Sequence, residues 1–181
     1  MKIVISEPEL ARRSREIRRI LAPISKVDSG PATKPISSQG VYIIATYDGC
    51  YPTVNFRDWR FRLKKKNLSA GYFEVWKDPL RDGKWHLEKA YLHIYEVNPG
   101  TRGENELICL HCDPSESVTA DHYCYKVGPH IHINNAPQPF PHSHFALNRC
   151  HLPEILSSLS ALTKAFSMGI DMIKDQVLDA M

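Results

Sequence analysis

The stretch from residue 71 to residue 112 constrains the fold more than any other part of the chain. Tyr72 to Trp76, Lys84 to Val97 and Leu107 to Cys112 are strand-like runs separated by two turn-forming clusters, Pro79 to Gly83 and Asn98 to Gly103. Such runs, bounded by Pro, Asn, Asp and Gly, read as neighbours in an antiparallel meander. In the middle run Tyr91, His93 and Tyr95 share one parity while Leu92, Ile94 and Glu96 share the other, so the two faces of that strand differ. On this reading His93 packs with the tyrosines, and His86, beside Trp85, belongs to the surface.

The flanks extend the pattern. Gly40 to Tyr47 contains the β-rich run VYIIATY, closed by a turn at Asp48-Gly49. Residues 6–21 read as a helix: Ser6 and Glu9 form a capping box, Pro8 fits the first turn, and Leu10, Ser14, Ile17 and Leu21 share a face. Arg12, Arg13, Arg15, Arg18 and Arg19 form the other face, expected to be solvated, with a phosphate-facing or partner-facing role as the alternative. Pro23 to Gln39 lacks periodicity and reads as a loop. Beyond Asn148 to Pro153, the apolar residues Ile155, Leu159, Leu162, Phe166, Ile170, Ile173 and Val177 recur at three and four positions, the spacing of a long amphipathic helix.

The expected architecture is α+β: an antiparallel sheet of about five or six strands, a basic N-terminal helix, and a long C-terminal amphipathic helix laid across the sheet. A length of 181 residues suits one domain, divided as 1–22 helix, 23–39 loop, 40–147 sheet with a histidine loop, and 152–181 helix. The composition, 43% hydrophobic and 24% charged, is ordinary for a soluble globular protein, and a net charge of +3 does not by itself imply nucleic acid. Five cysteines, an odd number without regular spacing, and no signal peptide point to a reduced, cytoplasmic chain. No run approaches the roughly 18 consecutive apolar residues of a membrane span. His111-Cys112 and His122-x-Cys124 offer zinc-ligand chemistry, but no C-x-x-C knuckle accompanies them, and Cys109, Cys112 and Cys124 fit buried thiols better. Neither a Gly-rich phosphate loop nor a G-x-S-x-G elbow is present.

The chemistry is concentrated in Asp121 to Phe145, which holds five of the nine histidines. Tyr123, Tyr125 and Val127 alternate as in a strand, Gly128-Pro129 bends it, and His130-x-His132 follows with both imidazoles on one face of an extended backbone. Asn134 to Pro139 reads as a rigid excursion that ends at a second pair, His142-x-His144. The two pairs are expected to converge across this loop, at a sheet end. Residues 53–66 interleave Phe56, Trp59 and Phe61 with Arg57, Arg60, Arg62 and three lysines, the mixture in which bases stack on rings and phosphates meet cations. A strand with a charged, aggregation-resistant edge is the competing reading.

The run YKVGPHIHINNAPQPFPHSH resembles the C-terminal signature of TumE-type toxins of bacterial toxin-antitoxin pairs. The resemblance rests on the aromatic Tyr123-x-Tyr125, on Asn135-Ala136-Pro137, and on Phe140 to His144; the family's Arg-aromatic-Asp and its His after the Pro are replaced here by Ile131 to Asn134 and by Gln138. It implies a small toxin-like protein acting on RNA, masked by a cognate antitoxin.

Three chemistries fit the histidines. In the first, which needs no cofactor, imidazoles among His130, His132, His142 and His144 act as general acid and base on the RNA 2′-OH and 5′-oxygen, while Arg57, Arg60, Arg62 or Lys126 meets the charge on phosphorus. In the second, the same four histidines hold zinc or another divalent metal, with or without a water for hydrolysis. In the third they are structural, and the protein is a binding module without chemistry.

Overall fold

The computed structural model describes residues 3–47, 55–97, 104–117, 119, 126–134, 142–147 and 152–180. Its strands are β1 (Val4–Ser6), β2 (Ala32–Ser38), β3 (Val41–Tyr47), β4 (Phe61–Arg62), β5 (Leu68–Lys77), β6 (Lys84–Val97), β7 (Glu104–Cys112), β8 (His130–Asn134) and β9 (His142–Ala146). Helices α1 (Glu7–Leu21), α2 (Leu152–Ile155) and α3 (Leu159–Ile173) complete it, and α3 runs on into a π-helical turn at Lys174–Leu178. All strand pairs are antiparallel, in the order β2-β3-β5-β6-β7-β8-β9, with β1 against β6 and β4 against β5.

The fold is α+β, as expected, but the sheet has nine strands among the described residues rather than five or six. β1 and β4 are three and two residues long, too short to show a period. β2 lies inside the stretch read as a loop; it pairs only with β3, and an edge strand tolerates Pro35 because half of its backbone donors need no partner in the sheet. Residues 53–66 form no long strand: a 3₁₀ turn at Phe56–Asp58 precedes the two residues of β4. Of the strand expected over Tyr123 to Val127, residues 123–125 lie outside the described residues, and Val127 is buried in the core.

One sheet face is covered by helix. Leu92 and Ile94 of β6, Leu110 and Cys112 of β7, and Ile131 of β8 join Ile17 and Leu21 of α1 and Leu162, Phe166 and Ile170 of α3 in a single core. Each fully buried Leu, Ile or Phe there stabilises the fold by about 1.5–3 kcal/mol. At α1's start Glu9 Oε2 accepts from the Ser6 N–H at 2.8 Å and from its hydroxyl at 2.6 Å, the capping box the sequence announces. Arg13 departs from the expected solvated face. It is fully buried, donating to Glu74 of β5 at 2.6 Å and to Thr163 of α3 at 2.6 Å, while Tyr72 and Trp76 also donate to Glu74. Burial pulls the Arg13 pKa down, but the Glu74 carboxylate more than offsets this and holds it above the ordinary arginine value. The expected single C-terminal helix is interrupted because Ser158 caps α3, accepting from the Ala161 N–H at 3.1 Å. Among the described residues, no helix is long and apolar enough to cross a membrane.

Candidate metal centre on the open face of the sheet

Side chains of the opposite parity face away from the helices. On β5 and β6 these include Phe73, Tyr91, His93 and Tyr95, and on β7 Cys109 and His111; β8 adds His130 and His132. Register brings them together: Tyr91, His111 and His130 are successive cross-strand partners, and so are His93, Cys109 and His132. Cross-strand partners share a face, with Cβ atoms about 4.5–5.5 Å apart. Alternation along each strand and registration between strands therefore assemble four imidazoles into one patch.

The patch contains two groups with metal-ligand geometry, His93 with Cys109 and His111, and His111 with His130 and His132; in each, the ligand atoms lie within 4.8 Å of one another. His93 Nε2 and His111 Nε2 are 3.2 Å apart. Metal–nitrogen bonds of about 2.0–2.1 Å place the nitrogens of a tetrahedral ion roughly 3.3–3.4 Å apart, so this pair has the separation of two ligands of one ion.

Two of these rings are held by their other nitrogen. His93 Nδ1 lies 2.6 Å from Glu106 Oε2, and since a carboxylate accepts, the proton sits on Nδ1 and Nε2 keeps its lone pair. His130 Nδ1 donates in the same way to the Gly128 carbonyl at 2.8 Å. A carboxylate or carbonyl behind a histidine is the usual outer support of a metal-ligating imidazole, fixing its tautomer and ring orientation. His111 is held by stacking, its ring 3.9 Å from that of Tyr91, whose hydroxyl donates to Asp113. Burial, then the bond to Asp113, raises the Tyr91 pKa, so it remains a phenol. Burial and Glu106 likewise push the Cys109 thiol up, and complete burial does the same for Cys112. Among the residues of the cysteine-based zinc reading, His122 and Cys124 lie outside the described residues.

Burial grades across the patch. His130 is fully buried, His111 and His132 are partly so, and the His93 side chain is 17% exposed beside Glu106 at 31%. The cluster thus has a deep end at β8 and a wetter end at β6.

The residues singled out from sequence are distributed unevenly. His130 and His132 lie within the sheet on β8, not on a loop at its end, because Gly128-Pro129 precedes the strand and the H-x-H run pairs with β7. His142 and His144 occupy β9 at register positions opposite Asn134 and His132. Arg60 is brought to the cluster: its guanidinium lies 3.9 Å from the centroid of Tyr95, whose ring stacks on His93 at 6.0 Å. Gly71 permits this approach, since a Cβ there would come within 2.7 Å of the Trp59 carbonyl oxygen. Arg57 is exposed beside Phe56, Arg62 lies on β4 lining a separate hollow, and the Lys126 carbonyl accepts from the Asp113 N–H at 2.9 Å. Sequence reasoning missed Glu106, read His93 as a ring packed with the tyrosines, and weighed His111 as a zinc ligand only beside Cys112. Their signal was parity, Tyr91-x-His93 and Cys109-x-His111 on adjacent strands, which lacks force until register is known.

Comparison with family models, curated proteins and solved structures finds no match for this chain.

Proposed function

We propose that the open sheet face carries a divalent-metal centre built from His93, His111, His130 and His132, and that the protein is a metal-dependent hydrolase acting on a phosphoester. One observation carries this reading: His111 belongs to two groups of converging ligand atoms, one with His93 and Cys109 and one with His130 and His132, and Nδ1 of His93 and of His130 is anchored by an acceptor behind it. Nitrogen donors of this kind suit zinc and its late transition-metal neighbours. Such an ion, when bound, supplies Lewis-acid polarisation and an activated water at neutral pH. The protein's part is to hold the imidazoles in the ligating tautomer and to keep a cation close by, Arg60, buried over the Tyr95 ring that stacks on His93.

Elemental analysis of protein purified without an affinity tag tests the centre. The reading expects near-stoichiometric zinc or a similar ion, lost in His111→Ala. Metal-free protein that also takes up none on titration would refute it.

A second reading keeps the imidazoles metal-free as the acid and base of RNA cleavage, supported by the contact of the basic aromatic segment with the cluster through Arg60, Tyr95 and His93. A toxin role and an antitoxin partner rest on the sequence resemblance alone. Incubating RNA with the protein with and without a chelator separates the two readings, because acid-base cleavage survives the chelator and metal-dependent cleavage does not.

A further inference from the structure

A second feature lies apart from the histidines. Between the last turn of α1, the segment that follows it, and the ends of β3 and β4 there is a hollow of about 430 Å³. Arg18, Lys26 and Arg62 bring three positive charges to it, Val27, Tyr47 and Phe61 supply apolar walls, and no acidic side chain among the described residues lines it. Ligand pockets commonly have volumes of about 300–1,000 Å³, mostly apolar walls, and a few convergent polar groups.

The three charge-bearing segments are tied to one another by backbone. The Lys26 N–H donates to the Arg62 carbonyl at 2.9 Å, and the Val27 N–H donates to Ser25 Oγ at 3.1 Å. Gly30 has φ +82°, and a Cβ there would lie 2.0 Å from the Arg18 carbonyl oxygen, so only glycine lets this segment close onto α1.

Arg18 gives the independent sign. Its Nη2 donates to Ser29 Oγ at 3.3 Å, but its Nε is buried with no acceptor among the described residues. A buried donor left unpaired costs about 1–3 kcal/mol, more for a charged group. A cation in the last turn of a helix complements the helix dipole, which accounts for Arg18 but not for Lys26, which lies off the helix.

We propose that this hollow is a binding site for a phosphate monoester carrying a flat apolar group, the chemistry of a nucleotide or an aryl phosphate. The phosphate meets Arg18, Lys26 and Arg62, and the flat group lies against Tyr47 and Phe61. Arginine suits phosphate because its planar fork donates in pairs.

Phenyl phosphate and inorganic phosphate, titrated separately into the full-length chain while the Arg18 Nε–H resonance is followed by NMR, test it. The proposal expects phenyl phosphate to shift that resonance and to bind more tightly than inorganic phosphate. A Lys26→Ala/Arg62→Ala protein, altered only at exposed positions, is expected to bind at least about tenfold more weakly, the loss of one charge-assisted hydrogen bond. The titrations are run with chelator present, so that the histidine face holds no divalent ion and does not turn the phenyl phosphate over. No shift at millimolar phenyl phosphate overturns the proposal, as does equal affinity for the two probes or undiminished binding by the double variant. Binding that appears only when divalent metal is added overturns it too, by placing the ligand on the histidine face; the metal content of the parent is a separate measurement, so the two sites fail independently.

Discussion

The two faces of the central strands bury polar groups in opposite ways. On the helix-covered face Arg13 and Glu74 are fully buried, and every partner is at hand: Thr163, Tyr72, Trp76 and, at the rim, Glu16. Charge is met by charge, and hydroxyl and indole N–H groups fill the remaining lone pairs, so the network is closed and ties α1, β5 and α3 together. On the open face four imidazoles are packed against each other, with one carboxylate, Glu106, behind one of them. Rings held with their nitrogens converging gain less from one another than a closed ion pair does. A cation between them would complete the arrangement. The difference teaches that buried polarity marks a structural site when its members satisfy one another, and a candidate functional site when they point at a common space.

That contrast can be broken most forcefully on the covered face. Arg13→Ala leaves the Glu74 carboxylate buried without its counter-charge, and removing one partner of such a pair costs about 3–5 kcal/mol. Urea denaturation should show a loss of that size, with or without metal. A loss below about 1 kcal/mol would mean that the network does not organise the helices.

The open face should behave in the reverse manner. His111→Ala is expected to fold, and to lose whatever stabilisation zinc confers on the parent, about 2.7 kcal/mol when free metal is a hundredfold above its dissociation constant. Thermal melts with zinc and with chelator read this directly; an equal response to zinc in variant and parent would remove His111 from the centre. Glu106→Gln is milder. It keeps a hydrogen-bond acceptor behind His93 but not the charge, and changes of this kind weaken metal binding about 10–100-fold. Competition with a chromophoric chelator measures it, and unchanged affinity would show that His93 is not a ligand.

The smallest effect concerns the rim of the covered face. The hydrogen bonds from the Ser6 hydroxyl and backbone N–H hold the Glu9 carboxyl below its ordinary pKa. A depressed carboxylate stabilises the fold above its unfolded pKa, about 4.3, and that contribution fades as pH falls toward the lower folded value. Glu9→Gln should flatten this part of the stability profile between neutral and acid pH. A profile identical to the parent's would show that the capping box has no measurable role.

Much of the fold was legible because it depends on local pattern. The capping box at Ser6 and Glu9, the turn at residues 79–83, and the full extent of β6 could be read from turn residues and period-two alternation. What escaped depended on tertiary context. Arg13 sits among solvated arginines in sequence, and only the approach of Glu74, 61 residues away, makes its burial favourable. β2 was hidden by Pro35 and a run of small polar residues, and the break before α3 by reading Ser157-Ser158 as helix interior rather than as a cap.

The candidate site was legible in residue type but not in membership. His130 and His132 were evident as an H-x-H pair, whereas His93 read as a ring packed among tyrosines and His111 as a zinc-ligand candidate only through Cys112. Pairing of His93 with Cys109, and of His111 with both Tyr91 and His130, joins them, and no local signal specifies that register. The arginines of residues 57–62 show the same limit: composition placed Arg57, Arg60 and Arg62 together, and the backbone sends only Arg60 to the Tyr95 ring beside His93.

X-ray absorption at the zinc edge, on tag-free protein loaded with one equivalent of zinc, tests the histidine centre most directly. A first shell of three or four nitrogen donors at about 2.0–2.1 Å, with imidazole outer-shell scattering that diminishes in His111→Ala, is the expected spectrum. A six-oxygen hydrated ion, a sulfur-dominated shell, or a spectrum unchanged by the substitution would contradict it.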